Sequence, residues 1–278
     1  MAISDISLTA GMRSNLINLQ DTSQLLDRTQ ERLSTGKKVN SALDDPTSFF
    51  AAQALTQRAS DLSTLKDSMG QAVQTIQAAN QGITGITTLI QAAQGLAQSA
   101  LSTSDTTTRL NYAQQFDAIR TQIDNMAQDS GYNGTNLLGG TTVALKVTFD
   151  LASSSSLTVT GVDGSTAATG LNVSAAATNW TTTDNTAISS AITSLAGANT
   201  TLRNDAASLS SSLTIINARQ DFTNQMISTL STGADNLTLA DMNEEGANML
   251  MLQTRQSLGI TALSLSSQAA QSILKLFA

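Results

Sequence analysis

The sequence predicts a mainly α protein: a long antiparallel helical rod or coiled coil formed by the N- and C-terminal halves, with a small β-hairpin insert. Three observations predict it. A stripe at alternating spacings of four and three runs through Met12, Leu16, Leu19, Ser23, Leu26, Gln30 and Leu33, and another closes the chain through Ile260, Leu263, Ser267, Ala270, Leu274 and Phe277. A longer stripe of the same kind occupies the first half, and strand-like alternation is confined to one short segment near the middle. Narrow apolar seams at heptad spacing require another helix to cover them.

The first helix ends near Ser34-Thr35-Gly36, where glycine accepts the left-handed cap. Asp45 followed by Pro46 reads as an N-cap and first helical position. The longest stripe then runs from Leu62 to Ala100, and a helix over 58–101 would be about 65 Å long at 1.5 Å per residue. Gly82, Gly85 and Gly95 lie inside it, and glycines retained in a long helix point to close contact with a neighbour. After a break at Ser102–Asp105, Tyr112, Phe116, Ile119, Ile123 and Met126 mark a third helix. Turn formers from Asp129 to Gly134 precede alternating Val143, Leu145, Val147 and Phe149, with a partner strand at Leu157–Val159 and a third strand at Leu171–Val173. Helix resumes from Ile188 through Ile216 towards Leu230, and Ser231-Thr232-Gly233 with Asp235-Asn236 should break it before the terminal helix.

Composition restricts function. The 278 residues carry a net charge of -7, which disfavours nucleic acid, since phosphate binding needs clustered Lys and Arg. Neither cysteine nor histidine occurs, which removes disulfides, thiolate metal sites and every His-containing catalytic triad. No metal or other cofactor is expected. The opening Met1–Ser7 lacks a cationic start and a long apolar run, so neither a cleaved signal nor a membrane span is expected. Aspartate and glutamate pairs such as Asp44-Asp45 and Glu244-Glu245 fit helix caps and solvated faces better than acid/base catalysis.

The segment Leu33-Ser34-Thr35-Gly36-Lys37-Lys38-Val39-Asn40-Ser41-Ala42-Leu43-Asp44-Asp45-Pro46 closely resembles the N-terminal signature of bacterial flagellins. Gly131–Leu138 resembles that family's turn after its third N-terminal helix, and Asp241–Glu245 with Gln268–Leu276 resembles its C-terminal helix. The resemblance covers roughly 1–140 and 187–278 and implies a short flagellin without large outer domains. It implies three regions: a terminal coiled coil from 1–40 and 238–278, a helical rod from 41–140 and 187–237, and a small surface-exposed β and Ser/Thr-rich insert at 141–186.

The family further implies a secreted, non-enzymatic subunit of the extracellular flagellar filament. Such a subunit is exported unfolded by the flagellar type III route and polymerised at the distal tip. Its partners would be further copies of itself, other flagellins, the flagellar cap, junction proteins and an export chaperone. The self-assembly seam is expected at Met12, Leu16, Leu19, Leu26, Leu33, Ile260, Leu263, Ala270, Leu274 and Phe277. Many flagellins carry charged anchors on the long helix for an innate-immune Toll-like receptor. Here the matching stretch offers Gln91, Ala92, Gln94 and Gly95, a degenerate patch from which poor receptor recognition follows. The alternatives are a hook–filament junction protein, or a secreted helical effector that does not polymerise.

Overall fold

A computed structural model describes residues 10–176, 180–181 and 185–276. Its described elements are α1 (Ala10–Thr35), α2 (Pro46–Leu101), α3 (Thr106–Asp129), β1 (Ala144–Thr148), β2 (Ser156–Thr160), α4 (Thr186–Thr238) and α5 (Met242–Leu276). They fall into two compact units, one of residues 1–58 with 229–278 and one of 59–228, whose boundaries lie inside α2 and α4.

Local chemistry sets most helix ends. Gly36 takes φ +70° after α1, and its N–H donates to Arg32 O at 2.8 Å. Asp45 starts α2: its Oδ1 accepts from Thr47 N and Ser48 N at 3.0 and 3.2 Å, and Pro46 occupies the first turn, where no intrahelical N–H is needed. Asp105 caps α3 through Thr108 N at 2.7 Å. Asp241 caps α5, accepting from Asn243 N and Glu244 N.

The 59–228 unit is organised on the α2 stripe. Met69, Ala72, Ile76, Ala79, Ile83, Ile86, Ile90, Ala93, Ala97 and Ala100 are all buried, joined by Phe116 and Ile123 of α3 and by Ile188, Leu195, Leu202, Leu209 and Ile216 of α4. A Cβ on Gly82 would lie 2.7 Å from Leu138 Cδ1 and closer still to Ser130, and one on Gly85 would strike Met126. Close contact therefore explains both glycines. It does not explain Gly95, which has open space beside it.

Two expectations about secondary structure fail. The Leu171–Val173 segment forms no strand: Leu171 N donates to Ser165 O and Val173 N to Thr166 O, so the loop satisfies its own backbone while burying both side chains. Nor does Ser231–Asn236 break the helix, since α4 continues to Thr238. Gly233 faces Leu55 Cδ1 of α2 at 3.3 Å from a built Cβ, so tertiary packing outweighs its low helix propensity. The expected hairpin is present, with β1 and β2 antiparallel and Val147 opposite Leu157. The insert also enters the core. Val147, Val159 and Trp180 are buried, and the Trp180 ring lies 4.8 Å from that of Phe116.

Candidate assembly interface

The 1–58/229–278 unit is built on the antiparallel pair α1 and α5. Arg32 Nη1 meets Glu245 Oε1 at 2.8 Å, and thirteen residues back along α1 Leu19 lies on Gly259, fourteen residues forward along α5. A Cβ on Gly259 would stand 2.5 Å from Leu19 Cδ1, so the glycine lets the helices approach. This register sets Leu26, half-buried, opposite the buried Leu252.

The residues following α1 bind the end of α4 like a strap. Lys38 N donates to Thr238 O at 2.7 Å, Ala240 N donates to Gly36 O at 3.0 Å, and Val39 is buried. Asp44 holds the next loop, accepting from Ser41 N and Asn40 N at 2.9 and 3.1 Å; these backbone bonds keep its carboxyl below the usual range. The loop offers Leu43 almost wholly to solvent. Phe50 is exposed on the first turns of α2, edge-on to the half-buried Phe49.

The expected seam divides into two faces. Met12 is buried, and Leu19, Leu26, Leu33, Leu263 and Ala270 are half-buried. Leu16 and Ile260 are exposed and point away from the covered face. The side chain of Leu274 and the whole of Phe277 lie outside the described residues. On α1 the covered face passes through Thr22 and Thr29 rather than Ser23 and Gln30: both threonines are buried, Ser23 is half-buried and Gln30 is exposed. Thr22 can be buried because its hydroxyl donates to Asn18 O at 2.7 Å, leaving its methyl group outward.

The other face is more consequential. Leu250, Leu258 and Leu265 are each more than 60% exposed, and Ile17, Leu25, Met251 and Ile260 join them at the surface of the same pair. So many exposed large apolar residues on two adjacent helices mark a surface built for contact. Their positions cannot be separated from the covered face by heptad reading alone, because α1 and α5 carry apolar residues on more than one side. On α2, Gln91, Ala92 and Gly95 are exposed and Gln94 is half-buried, an uncharged strip.

Among the described residues, no helix is long and apolar enough to cross a membrane, and no group of three or more acidic side chains is placed to hold a metal ion.

Residues 6–142 match the family model of the bacterial flagellin N-terminal helical region. Flagellin FljM of Caulobacter vibrioides is 33% identical over the whole of both chains. The chain belongs to the bacterial flagellin family. Flagellin FljK of the same organism is 34% identical, again over the whole of both chains. A Brucella melitensis flagellin is 27% identical over 94% of this chain and 95% of its own. Flagellins are structural proteins rather than enzymes and build the flagellar filament. Full-length matches on both sides mean that this flagellin has the length of its short relatives, without added outer domains.

Proposed function

We propose that this flagellin self-assembles into the filament by burying the exposed apolar face of α1 and α5 against neighbouring copies. One observation carries the reading: Leu250, Leu258 and Leu265 stand more than 60% exposed on a helix pair whose other face is already covered. Covering a leucine is worth about 1.5–3 kcal/mol, so a few such residues per contact supply a substantial driving force. Leu43 and Phe50, exposed beside the strap, extend the apolar surface available in this unit.

The subunit reaches the filament secreted and unfolded through the flagellar export route and is added at the distal tip under the cap. The export chaperone and the junction proteins are its transient and terminal partners. Two similar full-length flagellins in one organism support co-assembly of different flagellins in a single filament. The uncharged strip at Gln91, Ala92, Gln94 and Gly95 gives the Toll-like receptor little to grip.

Seeded polymerisation tests the central point. Ile260→Asp places its charge where the isolated subunit leaves it in water, so the fold survives. In a filament contact the same charge loses water without a partner. The critical concentration should rise at least about tenfold, the equivalent of 1.4 kcal/mol. Normal growth of the variant would exclude this face from the contact. A wild-type chain that only caps seeds, or stays monomeric, would instead indicate a junction protein or a secreted effector.

A further inference from the structure

On α1 the covered face repeats its chemistry every seven residues. Met12, Leu19, Leu26 and Leu33 form one row, and Asn15, Thr22 and Thr29 the other. Sliding α5 by one heptad, about 10.5 Å at 1.5 Å per residue, lays each α5 side chain on the same kind of α1 residue as before. The repeat therefore gives the pair a choice of registers that the rows themselves do not resolve.

Two contacts break the repeat. Leu19 needs the space left by Gly259, whereas the α5 positions seven residues away are Leu252 and Ser266, which fill it. Arg32 pairs with Glu245, which is buried to 7% exposure, and the α1-side positions seven residues away are Leu25 and Val39. A slipped register would leave the Glu245 carboxylate against an apolar residue and without its cation, an unfavourable state for a buried charge. It would also force Leu19 onto a side chain.

We infer that Leu19–Gly259 and Arg32–Glu245 are the register key of the terminal helix pair, positioning residues that decide which apolar side chains reach the next copy. The inference rests on the filament reading for its consequence, but the register itself belongs to the single chain. A buried ion pair suits this task, since its partners cannot be exchanged for apolar neighbours without loss.

The absence of cysteine permits a direct test. Gln20→Cys and Gln253→Cys, at exposed sites on α1 and α5, carry spin labels in the full chain, and the distance between them is measured in the dilute subunit. The unmodified key should give one narrow distance. Glu245→Arg should abolish that single distance or add a population displaced by about 10 Å, one heptad. Combining it with Arg32→Glu should restore the original distance, which a merely destabilised helix pair would not do. Glu245→Arg with the native distance retained, a charge-swapped double variant that stays displaced, or a broad distribution with the key intact would each overturn the inference. Because these distances do not depend on polymerisation, a chain that fails to elongate seeds would count against the filament reading alone.

Discussion

Gly82 and Gly95 lie thirteen residues apart in α2, and the space beside them differs. At Gly82 an added methyl group meets Ser130 Cβ at 2.6 Å and Leu138 Cδ1 at 2.7 Å, atoms close to their own backbone or held in the core. Overpacking of this kind costs about 1–3 kcal/mol, against about 1 kcal/mol gained from helix propensity. Gly82→Ala should therefore lower the urea midpoint of the isolated subunit. Gly95→Ala meets nothing within 4 Å and should raise it by the equivalent of about 0.5–1 kcal/mol. Equal effects at the two positions would contradict the packing assigned to Gly82.

Two carboxylates of the 59–228 unit respond to pH in opposite senses. The hydroxyl of Thr108 and then its backbone N–H hold Asp105 below its ordinary value. Its stabilising effect is present above the unfolded pKa of about 3.9 and is lost as pH falls through the folded pKa. Burial instead raises Asp205 on α4, so its charged form disfavours folding, and stability falls as pH rises through the raised value. Asp205→Asn should raise the unfolding temperature at pH 7 and leave it unchanged near pH 2.5, where the aspartate is already neutral. Asp105→Ala should lower it at pH 7, with a smaller loss in acid. Identical pH profiles for the two variants would refute these assignments.

Among the elements, the long stripes were legible in the sequence because a 3–4 repeat held over many turns has few alternatives. The α2 stripe is buried without interruption from Met69 to Ala100. Helix starts were legible wherever a side chain supplies the cap, as Asp45 does. The end of α4 was not, because Ser231–Asn236 contains residues that favour turns in isolation and only contact with α2 overrides them. Trp180 gave no periodic signal either: one large residue in a polar segment joins the core only through Phe116, more than sixty positions away. The exposed face of α2 at Gln91, Ala92, Gln94 and Gly95 carries a separate prediction. Without a charged anchor there, cells reporting through the flagellin-sensing Toll-like receptor should respond only at concentrations at least about a hundredfold above those needed for a charged-patch flagellin, as expected when hot-spot contacts worth 2 kcal/mol or more are missing. A full response at ordinary concentrations would place recognition elsewhere.

For the whole molecule, the terminal seam was legible as a need for partners but not as two separate faces. Heptad reading joined Leu16 and Ile260 to Met12 and Leu263, because on a helix with several apolar sides spacing does not reveal which side is already covered. Thr22 and Thr29 were passed over because a threonine appears polar until its hydroxyl returns to the preceding turn. The resulting division gives the chain an internal pairing through Met12, Leu19 and Leu252 and an outer surface of Leu250, Met251, Leu258, Ile260 and Leu265. The most direct measurement is hydroxyl-radical footprinting of the subunit before and after seeded assembly, read by mass spectrometry at Met251, Leu258 and Leu265. Burial against neighbouring copies predicts strong labelling in the dilute subunit and at least about tenfold protection in the filament, with Leu252 weakly labelled in both. Unchanged labelling of all three residues on assembly would show that the filament contact lies on another surface.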